Sequence, residues 1–508
     1  MEDKLLLLAL AAAVLFVLSK LTSFASKPRL NLPPGPWTLP VIGSIHHLIR
    51  SHSSIHQSMR TLAGKHGPFM QIWLGEVPAV VVSSPEVAQE VLRNQDVTFA
   101  DRFVNTTIGM IFANDLAFCP YGEQWRQLRL LCTQGLLTVA RVKSFQRIRE
   151  SEVASLVRDM ATSAATGGDA VNLTERIGQL VNDIVLRCSV GGQSKHRDEY
   201  LDALHTALSQ VTWLTVADIF PSSKLARLLG TAPRKAVTCR KKIECILKQI
   251  IQGRKEIVDR GTSNCDETAR NECFLDILLR LQKEGKTPIP ITNEVIIMLL
   301  FDMFSGGSGT SSSILDWTMA ELIRSPRVMT KACDEVRRAC QGKNTILEDD
   351  VIRLNYLKMV IKESLRLHCP LPLLAPRKCR ETCKVMGYDV PKDTTVFVNA
   401  WAICRDPKYW VDAEEFKPER FEDMSIDLKG NNFEFLPFGS GRRMCPGMSL
   451  GQANIELPLA SLLYHFDWKL PNEMEPKDVD MLEAPGLVGP KRTHLHLHPV
   501  VRIAPSIA

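Results

Sequence analysis

The stretch Leu436-Pro437-Phe438-Gly439-Ser440-Gly441-Arg442-Arg443-Met444-Cys445-Pro446-Gly447 sets one cysteine among glycines and arginines. Phe438, Gly441, Arg443, Cys445 and Gly447 fit the spacing F-x-x-G-x-R-x-C-x-G. Average residue usage would place these five fixed positions in a chain of 508 residues by chance with a probability on the order of 10⁻⁴. Glycine lets a tight loop bring backbone N–H groups close to a sulfur. Those donors and a neighbouring guanidinium favour a thiolate over a thiol. A thiolate held beside a flat apolar surface is an axial ligand for haem iron, where it pushes electron density toward the metal and favours O–O cleavage.

Three other patterns precede the cysteine. Glu363 and Arg366 stand three apart, so one helix face carries both. Trp125 and Arg129 form W-x-x-x-R, and a guanidinium presents paired donors that match a carboxylate. Gly306-Gly307-Ser308-Gly309-Thr310-Ser311 interrupts an apolar helical stretch. A glycine inside a helix costs about 1 kcal/mol against alanine, so this cluster needs a reason, and a local distortion of the helix is one.

In this order, and over essentially the whole chain, these motifs resemble the haem-thiolate cytochrome P450 superfamily, specifically its membrane-anchored plant type. The resemblance implies a mainly α fold with small β-sheets and haem b ligated by Cys445, with Phe438, Gly439 and Gly447 shaping the loop. It implies that Glu363, Arg366 and the Arg420 of Pro418-Glu419-Arg420-Phe421 form a buried ion-pair triad. Trp125, Arg129, Arg377, Arg443 and His368 are the implied haem propionate partners. Thr310 is implied to relay protons during oxygen activation, in a distortion that makes room for dioxygen. Gly309 departs from the family pattern because it occupies the usual acidic position. The proton route must then use Ser308, Ser311, waters or another acid; Asp302, two helical turns away, reads as structural.

The implied activity is monooxygenation: dioxygen is split and one oxygen atom enters an unactivated C–H bond of an apolar substrate, with electrons from NADPH. No flavin or nicotinamide pattern follows the cysteine loop, so a separate NADPH-cytochrome reductase is the implied donor, met by basic residues such as Arg126, Lys143, Lys358, Lys362 and Arg442. Family order maps substrate recognition onto 105–112, 213–219, 299–305, 371–375 and 485–489, with Ile108, Phe112, Phe301, Ser305, Leu371, Leu374 and Val488 as the candidate contacts. The leucines of 371–375 read equally as a pocket wall or as plain core. Similarity to cereal enzymes of specialised metabolism suggests a diterpene olefin, hydroxylated toward phytoalexins. The competing reading, for which Gly309 is the best argument, is an isomerase or dehydratase that works without external electrons. A haem-binding sensor or carrier is a third, and it would not need the glycine-threonine distortion.

The elements that must hold these residues begin with an anchor. Leu5 to Leu18 is an unbroken apolar run, and with its flank to Ala25 it reaches about 31 Å as a helix, enough to span a bilayer. Glu2, Asp3 and Lys4 precede it and Lys20, Lys27 and Arg29 follow, which places the body on the cytosolic side and predicts residence in the endoplasmic reticulum membrane. A cleaved secretory signal is the alternative for 1–25, yet a secreted chain with 14 cysteines should carry a disulfide framework. Residues 26–43, with Pro33, Pro34, Pro36 and Pro40, predict a stiff hinge, and 44–508 one catalytic domain. Strands are expected at Met70 to Leu74 and Ala79 to Ser83, and one helix of about 50 Å from Thr292 to Ser325. Polar surface connections are expected at 261–268 and 285–290. The net charge of +6 is too dilute for nucleic acid, with no run of five like charges. No C-x-x-C pair or zinc-type spacing occurs; Cys379 and Cys383 could pair or bind metal but read better as strand or loop residues.

Overall fold

The computed structural model describes residues 30–505, apart from 50–53, 113–114, 167–168, 193–196, 210–214, 225, 227–231, 260–271 and 423. The expected anchor at 1–25 and the connection at 261–268 lie outside the described residues. The strands are β1 (Phe69–Leu74), β2 (Val77–Val82), β3 (Asp101–Arg102), β4 (Val171–Asn172), β5 (Arg377–Lys378), β6 (Cys383–Val385), β7 (Tyr388–Val390), β8 (Thr395–Val398), β9 (Phe466–Lys469) and β10 (His496–Val501). They form sheets of order β1-β2-β8-β5-β3, β4-β10-β9 and β6-β7. β-Branched residues dominate β2, which has polar turn neighbours and lies parallel to β8. β8, β5 and β3 then pair antiparallel, in a register that sets Arg377 directly opposite Arg102.

The prolines of the hinge remove donors, and the segment takes its bonds from the sheet instead. Pro34 accepts the Gln71 N–H at 2.8 Å, and Asn31 and Asp389 exchange bonds through the Asn31 N–H at 2.8 Å and the Asp389 N–H at 2.7 Å. A Cβ on Gly35 would lie 2.1 Å from the Gln71 carbonyl oxygen, so only glycine admits this close approach.

The helices that position the site are α1 (Thr106–Ile111), α2 (Glu123–Leu130), α3 (Leu173–Val190), α4 (Val216–Ile219), α5 (Ala232–Asp259), α6 (Asn293–Gly307), α7 (Gly309–Arg324), α8 (Asn355–Leu367) and α9 (Met448–His465). Thr292 caps α6 by accepting the Val295 N–H, and Pro326 follows the end of α7. The expected long helix runs from Asn293 to Arg324 and is distorted at Ser308, the junction of α6 and α7, where ψ reaches −72° while the Ser308 N–H still donates to Phe304 at 3.2 Å and its carbonyl accepts the Ser312 N–H at 3.1 Å. Glycines on both sides lower the cost of that distortion, and Asn182 of α3 accepts the Ser308 hydroxyl and holds it. Helices α6 and α7 run through the main core, where Phe301, Phe304, Leu315 and Trp317 are almost completely buried.

Candidate active site

A cavity of about 290 Å³ lies between the α6–α7 junction and the cysteine loop. The loop closes on itself by backbone bonds: the Cys445 N–H donates to the Phe438 carbonyl at 3.0 Å, and the Gly439 N–H to that of Leu436 at 3.0 Å. Gly441 has φ +71°, and a Cβ there would lie 2.1 Å from the Leu92 carbonyl oxygen, so the turn requires glycine. Phe438, Gly439, Cys445 and Gly447 all line the cavity. Burial pushes the Cys445 thiol up, while the Gly447 N–H and the charge of Arg129 act against that rise.

Arginines gather on the same wall. Arg102, Arg129, Arg377 and Arg443 line the cavity, and among the described residues none forms an ion pair. Three of them spend donors on backbone carbonyls instead. Arg102 reaches Ala375 at 2.6 Å, Arg377 reaches Ser440 at 3.0 Å, and Arg443 reaches Ala100 at 2.8 Å. Burial followed by the charge of neighbouring arginines lowers Arg102, and takes Arg377 down to about 10. Like charges facing each other across β3 and β5 are destabilising unless an anion lies between them. A haem carries two propionate carboxylates, a cysteine faces the same space, and Leu365, Leu374, Ile314 and Ile455 supply apolar wall. These residues fit the group.

The expected propionate partners separate here. Arg129, Arg377 and Arg443 stand at the cavity, and Arg102 joins them although no motif singled it out; its cross-strand pairing with Arg377 is invisible without the sheet register. Trp125 donates its indole N–H to the Leu116 carbonyl at 3.2 Å, so that donor is committed to protein rather than to a carboxylate. Its ring lies under the Arg443 guanidinium at 4.3 Å and thereby orients it. His368 does not line the cavity. It stacks on Trp317 at 4.0 Å, shares Nε2 with Glu321 at 2.7 Å, and burial lowers its pKa. It is a core histidine, not a propionate partner.

The structure brings Glu363, Arg366 and Arg420 together. The Arg366 Nε and Nη2 donate to Glu363 at 2.7 and 2.9 Å, and the Arg420 Nε at 2.9 Å. Arg366 spends its other donors on the carbonyls of Cys404, Ala413 and Glu415, so all five are used. This triad clasps α8 to the segment 404–420.

On the opposite wall, Asp302, Met303, Gly306, Gly307, Thr310, Ser311 and Ile314 face the cavity at helical spacing. The Thr310 hydroxyl donates to the Gly306 carbonyl at 2.7 Å, across the distortion at Ser308. Gly309 does not line the cavity, and a Cβ there would meet nothing within 4 Å. Asp302, read from sequence as structural, borders the cavity and also accepts the Leu116 N–H at 2.9 Å. Burial pushes its carboxyl up to about 7, and Asp115, beside it, is raised as well.

Of the candidate substrate contacts, Leu371 and Leu374 line the cavity; Ile108, Phe112, Phe301, Ser305 and Val488 do not. Phe301 and Ser305 project from other faces of α6, and the Phe301 ring packs on Phe112 at 5.3 Å. Leu116, Ala117 and Met303 take up wall that sequence order gave to those residues. Cys379 and Cys383 have sulfurs 3.9 Å apart, and no group of metal-ligating side chains occurs among the described residues.

A cavity-facing cysteine on a glycine loop, four arginines without ion pairs and a helix distorted at a glycine-threonine site define a haem-thiolate protein. The family model for cytochrome P450 matches residues 33–497, and the chain belongs to that family. It is 63% identical over 514 residues to ent-cassadiene hydroxylase of Oryza sativa subsp. japonica, covering 100% of this chain and 99% of the relative. It is 62% identical to ent-isokaurene C2/C3-hydroxylase of the same organism, over 100% of both chains. Dolabradiene monooxygenase of Zea mays is 58% identical over 99% of both. The protein is therefore a cytochrome P450 monooxygenase that uses haem b and electrons from a reductase on a hydrophobic substrate. Isomerase or dehydratase chemistry is not favoured, since these relatives are named as hydroxylases and monooxygenases.

When bound, the haem supplies activation of dioxygen. The chain's own residues do the rest: Cys445 would ligate iron, Arg102, Arg129, Arg377 and Arg443 would hold the propionates, and Thr310, its hydroxyl donated to Gly306, borders the same cavity.

Proposed function

We propose that this monooxygenase hydroxylates a diterpene olefin in specialised defence metabolism. The observation that carries the reading is the full-length identity of about three residues in five to enzymes named for ent-cassadiene and ent-isokaurene, both diterpene hydrocarbons. The cavity agrees with it. Beyond the haem-facing residues its wall includes Leu116, Ala117, Met303 and Leu371, with Asp302 beside them, and a mostly apolar pocket of that kind selects an apolar ligand. The test is to express the full-length chain with a plant reductase, supply a panel of diterpene olefins, and identify products by mass spectrometry. NADPH-dependent mono-oxygenated diterpenes support the proposal; turnover confined to other substrate classes refutes it.

In the same reading, residues 1–25 are a signal-anchor in the endoplasmic reticulum membrane, 26–43 the hinge, and 44–508 a cytosolic catalytic domain. Support comes from exposed apolar side chains that converge on one turn. Gly75 donates to the Ile42 carbonyl at 3.3 Å and Glu76 to that of Ile219 at 2.9 Å. The hinge with Trp37, Val41 and Ile42 therefore lies beside α4 with Val216, all exposed. NADPH-cytochrome reductase would dock on the basic face that includes Arg126, Lys143 and Arg442; these are exposed and paired only at the surface, with Glu123, Asp349 and Asp96.

A further inference from the structure

Two cysteines outside the active site meet at the end of β5. Cys379 directly follows that strand, and Cys383 opens β6. Their sulfurs lie 3.9 Å apart, with Cys379 fully buried and Cys383 half-buried. The chain between them turns back on itself, so that the Cys379 thiol donates to the Glu381 carbonyl at 2.9 Å. To reach the roughly 2.05 Å of a disulfide, the sulfurs must approach by about 2 Å.

The two sides differ in their freedom to make that approach. β5 is fixed on both edges, by Arg102 and Val396 opposite Arg377 and by Asp101 and Thr395 opposite Lys378. Backbone bonds continue through Cys379, whose N–H donates to Thr394 at 2.9 Å and whose carbonyl accepts the Asp393 N–H at 2.8 Å. β6 sits in a two-stranded sheet with β7. The Cys383 side can therefore move while the strand of Arg377 stays in place. Reactivity divides the pair in the same way. Burial raises both thiols, Cys379 up to about 12, so neither is a fast nucleophile and a trace of oxidant leaves them intact. Cys383 is the one that solvent reaches, and Cys379 waits behind it at contact distance.

We propose that Cys379 and Cys383 form a reversible oxidative modification site that answers sustained peroxide with a disulfide and staples the corner behind Arg377. The Cys383 sulfur first attacks hydrogen peroxide: the O–O bond breaks, the sulfur keeps one oxygen as a sulfenic acid, and the other leaves as water. The Cys379 sulfur then attacks the sulfenic sulfur, the S–S bond forms, and a second water departs. The two thiols give up two electrons and two protons, and the peroxide takes up both. Exchange with an external thiol such as glutathione restores the pair. The staple acts on the active site through Arg377, two positions before Cys379 on the strand that ends at this corner. Fraying from that end loosens Arg377 from the cavity wall, and a cross-link across the corner opposes it.

The experiment treats the full-length holoenzyme with hydrogen peroxide, blocks the remaining thiols with iodoacetamide and digests the protein with trypsin. Cleavage after Lys378, Arg380 and Lys384 places the cysteines on separate peptides, 379–380 and 381–384, which only a disulfide joins in the mass spectrum. Exposed Cys245 of α5 reports the oxidant dose. The joined peptides should appear by the dose that oxidises Cys245 completely, and glutathione should separate them. In Cys379→Ser, dimedone should label Cys383 as a sulfenic acid. The linked protein should lose haem to apomyoglobin at about half the native rate or slower, with hydrogen exchange slowed at 379–390. Cys383→Ser, given the same peroxide, should show neither change. Complete oxidation of Cys245 without joined peptides overturns the proposal. A link that leaves haem loss and exchange unchanged overturns it too, because the cysteines are then packed side chains that oxidise without consequence. Should Cys379→Ser yield no holoprotein, Cys383→Ser, altered at the half-buried position, decides alone.

Discussion

Replacing Glu363 by glutamine keeps the volume of the side chain and removes its charge. The structure sets the magnitude. The carboxylate takes donors from Arg366, Arg420 and the Lys417 N–H, and both Glu363 and Arg366 have fully buried side chains. In E363Q two guanidinium groups lose their counter-charge, and an amide NH₂ faces donors. Breaking a buried pair by removing one partner costs about 3–5 kcal/mol, a large part of the 5–15 kcal/mol that holds a typical domain together. With an unfolding entropy of about 1 kcal/mol per kelvin for a chain of this size, that is a fall of about 3–5 °C in the thermal midpoint. The holoenzyme yield, read from the reduced carbon monoxide band, should fall with it. Lys331→Ala is the control: its ion pair with Glu419 is half-exposed and worth less than about 1 kcal/mol. If E363Q melted within the scatter of Lys331→Ala, the triad would not be the clasp inferred here.

Cys445→Ala should abolish the thiolate-type band of the reduced carbon monoxide complex, and a variant that kept the band would refute the ligand assignment. Gly309→Asp should fold and bind haem normally, since a Cβ meets open space and an acid suits the first turn of α7; where proton delivery limits turnover, the ratio of product to NADPH consumed should rise, and loss of folded protein would refute the steric reading. Arg102→Leu should lower haem retention in dilution assays, whereas Arg126→Leu, on the exposed face, should not. The raised carboxyl of Asp302 binds its proton more tightly in the folded than in the unfolded chain, so its contribution to stability falls as pH rises from about 4 to about 7. The thermal midpoint of Asp302→Asn, relative to the native chain, should therefore climb between pH 5 and 8, and a constant difference would contradict the assignment.

What the sequence made legible was local. The cysteine loop is marked by a contiguous motif, and Glu363 and Arg366 must share a face of any helix that holds them. The helix over the cavity could be expected to distort because its glycines are consecutive enough to mark the place. Long-range register was hidden. Arg102 sits in a two-residue strand whose partner lies 275 positions later, and nothing near it announces a charge facing Arg377. The same limit explains His368 and Trp125. Both have side chains able to bind a carboxylate, yet Glu321 and the Leu116 carbonyl, brought in by tertiary packing, reach them first.

The substrate wall follows the same logic at finer scale. Family order placed candidates by segment, but a helix shows a cavity only one stripe, here 302–303, 306–307 and 310–311, so Met303 faces it and Phe301 and Ser305 do not. The ends of α1 and the start of the stretch before α2 depend still more on packing: Asp218, Arg240 and Asp302, from three other helices, satisfy the Thr106 N–H, the Ile111 carbonyl and the Leu116 N–H. Chemistry at the haem is thus set by a contiguous motif that sequence exposes. The segment beside the cavity is held instead by scattered polar contacts that only the folded chain assembles.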